Sequence, residues 1–351
     1  MLFYFLVWAP IGLAALSEKQ RWSTSTAIAI CVLFTLIIGL RIEVGADWVN
    51  YLPKVDEQIG APLAYPLSMT EPGYAMANWI SARLNTDIFG VNLICAGLFS
   101  VGLVCYCRRR PYPWLALALG FPYLAVVVAM GYSRQGVAIG LELLALLALE
   151  RDRLLPFLGW IALAATFHMT ALIVLVLPVA TIKRDLGRFN GLIRLLLLLG
   201  ASYGLFEVFL SSSIEGYRTN YIDAEYQSQG ALVRVFMCLL PALIFLLKRR
   251  QFVISEVQDS IYTLMSLMAM AASIGLVLSP SSTAVDRVAL YLIPLQIFVG
   301  SHLPATGCFG LGPKAWRRFL VFLSLSVLGV WLVFAAFSFA WIPYRNLLFE
   351  L

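Results

Sequence analysis

The sequence predicts an all-α, polytopic integral membrane protein, and three observations carry that prediction. The 351 residues are 61% hydrophobic and only 13% charged, with a mean hydropathy of +0.86, too apolar for a surface that water must wet. Apolar stretches of roughly 17 to 22 residues, each about long enough to cross a hydrocarbon core of ~30 Å, recur from end to end. The polar breaks between them are short except at residues 42–87 and 211–230. One transmembrane domain over residues 1–351 of about twelve helices is therefore expected, with no soluble appendage.

The expected spans begin with residues 1–16, 24–41, 88–106, 113–130 and 132–149. They continue with 154–167, 169–182, 191–210, 231–247, 260–279, 285–303 and 319–340. Residues 1–16 have no basic leader and no small-residue cleavage site, so they read as a retained first helix. The break at His168 is read as a reversal because it keeps the later charge clusters on one consistent side. Within 42–87, the segment Ala75 to Leu84 is too short to span and reads as an interfacial or re-entrant helix.

Alternating the breaks sorts the 25 lysines and arginines. Seventeen cluster around 19–21, 108–110, 151–153, 183–194, 248–250 and 314–318, which makes that side cytoplasmic and places both termini outside. The net charge of +6 mostly reflects this topogenic cluster, and no nucleic-acid partner is read from it. The six cysteines suggest neither a disulfide framework nor a metal site. No internal repeat is evident, which disfavours transporters built from paired halves.

Eight basic residues remain outward: Arg41, Lys54, Arg83, Arg134, Arg218, Arg234, Arg287 and Arg345. Such a set on the wrong side for the charge rule needs an anionic partner or a structural reason, and a lipid diphosphate is such a partner. Arg41, Arg134 and Arg287 are the candidates for gripping it, with Arg218 in reserve. For Arg41 the competing reading is an interfacial arginine paired to Glu43 or Asp47, and for Arg287 a salt bridge to Asp286. Arg134 sits at a tight turn followed by small residues at 136, 138 and 140 that permit close helix packing.

His168 is the outward histidine, since His302 falls on the cytoplasmic side, and imidazole suits proton transfer near neutral pH. Asp47 and Glu71 are the outward carboxylates considered beside it as a general base. Tyr221 and Tyr291 follow Arg218 and Arg287 by three or four residues, so each pair shares a helix face. Tyr51, Tyr74 and Gln135 complete the substrate-contact set in loops whose aromatics, acids and amides suit sugars. Glu142 and Glu207 read as buried acids, Glu142 as a hydrogen-bonded structural one in preference to a member of a proton relay.

Five motifs appear in order: Arg41-x-x-x-Gly45-x-Asp47-x-x-x-Tyr51, Glu71-Pro72-x-Tyr74, Ser133-Arg134-Gln135, Phe167-His168-x-Thr170-Ala171-Leu172 and Asp286-Arg287-x-x-x-Tyr291. This series, ending in Pro343-Tyr344-Arg345, resembles the EpsG family of exopolysaccharide polymerases, which are Wzy-like. Trp48 departs from the Tyr or Thr more usual there. The resemblance implies a metal-independent glycosyltransferase with a GT-C-like bundle and a periplasm-facing site in a bacterial inner membrane. Its substrate would be an undecaprenyl-diphosphate-linked oligosaccharide, joined to the next lipid-linked repeat unit with release of undecaprenyl diphosphate. No cofactor is expected, and a chain-length regulator and a flippase are the protein partners implied. A lipid-linked glycan ligase, or a flippase or secondary transporter gripping the same headgroup, are the alternatives.

Overall fold

The computed structural model describes residues 1–18, 20–182, 189–209, 230–278 and 282–350, and these are helical apart from turns and one isolated antiparallel bridge between Arg41 and Asn346. The first half contains α1 (Leu2–Leu16), α2 (Thr24–Gly39), α3 (Trp48–Asp56), α4 (Ala64–Leu67), α5 (Pro72–Leu84), α6 (Asp87–Arg108) and α7 (Pro113–Gly120). It continues with α8 (Ser133–Leu149), α9 (Leu154–Phe167), α10 (Pro178–Ile182) and α11 (Phe189–Phe209). The remainder contains α12 (Ala231–Lys248), α13 (Glu256–Leu278), α14 (Ser282–Ala289), α15 (Ile293–His302), α16 (Pro313–Phe334) and α17 (Leu347–Glu350).

Among the described residues, five helical segments, Asp87–Arg108, Ala231–Gln251, Glu256–Leu278, Val285–Ala305 and Pro313–Phe334, are long and apolar enough to cross a membrane. Most of the other expected spans correspond to shorter apolar helices, such as Leu2–Leu16 and Thr24–Gly39. The chain is thus a polytopic helical membrane protein. The break expected at His168 is present: its backbone is extended (φ −155°, ψ 110°) between α9 and the 3₁₀ turn Met169–Val176.

Helix α8 runs through the core, with Val137, Ile139, Leu141, Leu143 and Leu146 all buried. Gly140 lets it lie directly against α6, since a Cβ there would sit 2.6 Å from Phe99 Cα. Before it, Phe121–Ala129 is wound as a π-helix that extends α7, and such widened turns occur mostly as local features near functional sites.

The long loop at 42–87, expected to face outward, is itself folded, as α3, α4 and α5. The segment expected at 75–84 lies within α5, whose buried residues Tyr74, Ala77, Asn78 and Ser81 face the bundle, whereas the helix α3 has no counterpart in the sequence reading. The C-terminal segment clasps the start of this loop. Ile42 N–H donates to Arg345 O (3.0 Å), Leu347 N–H to Leu40 O (2.9 Å) and Gly45 N–H to Ala340 O (2.8 Å). Gly45 takes φ +110°, a conformation open to glycine.

At the opposite end of α8 a buried ion pair closes the bundle. Arg110 Nη1 and Nη2 donate to Glu150 at 2.9 and 2.8 Å, and Tyr262 Oη donates to the same carboxylate at 2.6 Å. Arg110, counted in the topogenic cluster, is therefore committed to packing between α6, α8 and α13.

Of the two acids read as buried, Glu207 is exposed on α11. Glu142 is fully buried, but neither of its oxygens has a hydrogen-bond partner, so it is not the hydrogen-bonded acid the sequence suggested. The expected loop at 211–230, with Arg218 and Tyr221, lies outside the described residues except for Gly230.

Candidate functional site

Glu71 joins two distant segments. Its Oε2 accepts from Arg134 Nη1 at 2.7 Å and its Oε1 meets His168 Nδ1 at 2.9 Å. The three residues come from the start of α5, the start of α8 and the break after α9. They line a cavity of about 340 Å³ together with Lys54, Glu57, Gln58, Asn78, Thr170 and Arg287. Glu71 and His168 are mostly covered, at 13% and 12% side-chain exposure, whereas Arg134 at 41% reaches into the open space.

Glu71 can approach α9 because the residue two further on is glycine. A Cβ at Gly73 would lie 2.2 Å from Thr166 Oγ1 and 2.9 Å from the Phe167 ring. Gly73→Ala should therefore push the start of α5 away from His168. Displacements of ~1 Å at a reacting centre cost about 10²-fold, so the variant should express normally and lose about that much turnover. Wild-type turnover in Gly73→Ala would show that the close approach is not needed.

Burial pushes the Glu71 carboxyl upward, but the hydrogen bond and charge of His168 and the Arg134 guanidinium outweigh it and hold it below the usual carboxylate range. An ionised carboxylate only accepts, so Nδ1 of His168 carries the hydrogen and Nε2 keeps its lone pair when the ring is neutral. The linkage has a definite sign. A carboxyl depressed in the fold stabilises it above the unfolded pKa of about 4.3 and loses that contribution as pH falls through the lower folded value. The difference in melting temperature between wild type and Glu71→Gln should be constant above pH ~5 and shrink below ~4. A difference independent of pH would remove the charge argument.

Two rings pack beside Arg134, of which Tyr74 lines the cavity and Tyr51 lies buried outside it. The guanidinium of Arg134 lies 5.8 Å from the ring centroids of both Tyr51 and Tyr74, which are themselves 5.5 Å apart. Both phenols are driven above their ordinary range, chiefly by burial. Four buried polar atoms of cavity-lining residues, Gln58 Oε1, Tyr74 Oη, Asn78 Oδ1 and His168 Nε2, make no well-formed hydrogen bond within the protein. Native structures rarely leave buried polar groups unmatched, and these four belong to residues of one cavity wall.

The structure sorts the outward basic residues by their partners. Arg345 pairs with Glu43 and Glu350, Lys54 with Glu57, and Arg234 with Asp286. Arg83 lies over the Trp79 ring and donates to Ala61 O. Because Arg234 takes Asp286, the salt bridge considered between Asp286 and Arg287 does not form. Arg287 faces the cavity with no carboxylate partner among the described residues, steadied by Gln135, whose Oε1 accepts from Arg287 Nη1 at 3.3 Å. Gln135 Nε2 in turn donates to Arg287 O at 2.9 Å.

Arg41 is elsewhere. It is 1% exposed, and its guanidinium donates to Val44 O (3.0 Å), Ile38 O (2.6 Å) and Ser133 Oγ (2.8 Å), pairing with neither Glu43 nor Asp47. It fastens the C-terminal end of α2 to the start of α8, just before Arg134. Each acceptor left unsatisfied costs about 1–3 kcal/mol, so Arg41→Leu should reduce stability by on the order of 3 kcal/mol or more. A melting temperature unchanged in that variant would contradict the clamp.

Asp47 lies at the N-cap of α3, accepts from Tyr51 Oη at 3.2 Å and does not line the cavity. Tyr291 is buried behind it, where its Oη accepts from the cavity-lining Thr170 at 3.2 Å. Gln58, Asn78 and Thr170 were not among the site residues expected from sequence, although Asn78 belongs to the loop polarity that suits sugars and Thr170 to the motif around His168.

Together these features define a helical membrane protein with a cavity in which two arginines and a histidine–carboxylate pair meet a wall of mixed polar and apolar side chains. The EpsG family model matches residues 26–346, and the chain belongs to the EpsG family. No curated protein and no solved structure matches it.

Proposed function

We propose that the chain is a polysaccharide polymerase that joins lipid-diphosphate-linked oligosaccharide repeat units at the outer face of a bacterial inner membrane, releasing undecaprenyl diphosphate. The observation that carries this reading is the convergence of Arg134, Arg287 and the His168–Glu71 pair on one cavity whose remaining wall mixes polar side chains such as Gln58 and Asn78 with apolar ones such as Met69 and Met169. Membership of the EpsG family supports the polymerase class.

In the proposed reaction the acceptor sugar's hydroxyl oxygen attacks the anomeric carbon of the donor glycan. The bond from that carbon to the diphosphate oxygen breaks, and the electron pair leaves with the diphosphate. Arg134 and Arg287 stabilise the charge that accumulates there, so they act more strongly on the transition state than on the bound substrate. The hydroxyl proton passes to Nε2 of His168, and Glu71 stabilises the resulting imidazolium through Nδ1–H. Gln58, Asn78 and Tyr74 hold sugar hydroxyls. The chemistry draws on a preformed lipid-linked donor and consumes no nucleotide.

Purified protein given lipid-linked repeat unit should produce a ladder of longer lipid-linked glycans. Movement of labelled lipid across proteoliposome membranes without a ladder would replace this reading with a flippase. Transfer of the glycan to a different lipid or to protein would replace it with a ligase.

A further inference from the structure

At the far end of α8 from the cavity, Arg108 and Arg109 from the end of α6 and Arg151 and Arg153 from the α8–α9 turn line one pocket of about 580 Å³. Its wall continues along the helices as Leu144, Leu147, Ala148, Pro156 and Trp160. The pocket therefore has a basic rim where the helices end and an apolar, aromatic-bounded wall running back toward the hydrocarbon.

The rule that basic residues gather on one side of a membrane explains why arginines are found here but not why four share one concavity. Their neighbours behave differently. Arg110 is buried against Glu150, Arg194 pairs with Asp152, and Arg249 pairs with Asp259. Arg109, Arg151 and Arg153 have no carboxylate partner among the described residues, and Arg108 donates only to Thr24 Oγ1 at 3.0 Å. Unneutralised guanidinium groups held together repel one another and favour an anion between them, and their planar forks match phosphate oxygens.

We infer that this pocket binds an anionic phospholipid with two phosphates in its headgroup, a bis-phosphatidylglycerol type. Four guanidinium groups match two phosphates better than one. Trp160, Leu144 and Leu147 line the apolar part of the same pocket, next to the arginines, where acyl chains would lie beside the headgroup. The lipid fastens the ends of α6, α8 and α9 together on the side opposite the cavity. This inference does not depend on the polymerase reading.

The test is lipid retention and thermal stabilisation of the full-length protein in detergent. The probes are bis-phosphatidylglycerol, phosphatidylcholine and inorganic phosphate, each added alone. Wild type should retain about one bis-phosphatidylglycerol per chain and gain melting temperature from it but not from phosphatidylcholine. Arg151→Gln with Arg153→Gln should weaken retention at least tenfold, while Lys248→Gln with Arg250→Gln, an equal charge loss elsewhere on the same side, should not. Arg151→Lys with Arg153→Lys keeps the topogenic charge, so it should insert normally and still bind several-fold more weakly. Equal loss in both glutamine pairs would reduce the site to diffuse attraction, and equal stabilisation by inorganic phosphate would make it a phosphate site. Either result overturns the inference.

Discussion

His168→Ala is expected to lower polymerisation turnover by about 10²–10⁴-fold, the range for loss of a positioned general base, with little change in the apparent affinity for lipid-linked substrate. The effect follows from the orientation of the ring. Glu71 takes Nδ1–H at 2.9 Å and leaves Nε2 as the basic nitrogen, buried and unmatched by any protein donor. Glu71→Gln should reproduce much of the loss while keeping the side chain's shape, because an amide does not stabilise an imidazolium as a carboxylate does. If His168→Ala keeps turnover within threefold of wild type, the proton has another acceptor and the dyad is structural. Single-turnover measurements with a saturating donor separate this outcome from weaker binding.

Arg134→Ala is expected to cost about 10²–10³-fold in turnover, the range for removing one donor to a developing anion in a partly dehydrated site. Arg134→Lys should recover part of this, because a lysine keeps the charge but loses the planar fork. Arg134 also covers Glu71, so its removal leaves the carboxylate with His168 alone. A donor with a better leaving group at the anomeric carbon should therefore partly rescue Arg134→Ala and leave His168→Ala unchanged. Equal rescue of both variants would argue against separate roles.

Much of the architecture was legible because hydrocarbon imposes a simple rule on sequence. Every backbone polar group within it must be bonded internally, so long apolar runs become helices, and the interruption at Phe167-His168 marked a true break. The alternation of polar breaks also grouped residues by end. Glu71, Arg134, His168 and Arg287, assigned to one face, line one cavity, and Arg110 and Glu150 meet at the other end.

Sequence could not show which basic residues were already neutralised. Asp286 is next to Arg287 in the chain, yet its carboxylate is taken by Arg234 from α12, 52 positions away, and that pairing leaves Arg287 for the cavity. Arg41 sits in the motif with the most conspicuous polar pattern, yet backbone carbonyls and Ser133 claim its guanidinium. Gln58, just after α3, and Asn78, within α5, belong to a loop whose polar residues are many, and which of them face the cavity is decided by how α3 and α5 pack. Gly73 had no visible role until Thr166 and Phe167 were placed beside it.

The most direct test of the account is equilibrium binding of undecaprenyl diphosphate to purified protein, comparing wild type with the double variant Arg134→Ala/Arg287→Ala. Each charged hydrogen bond contributes about 1.5–3 kcal/mol, so loss of two should weaken binding by roughly 10²–10⁴-fold while binding of undecaprenol, which lacks the diphosphate, is unchanged. Affinity for the diphosphate within threefold of wild type would show that the headgroup binds elsewhere, and the cavity would lose its place in the mechanism.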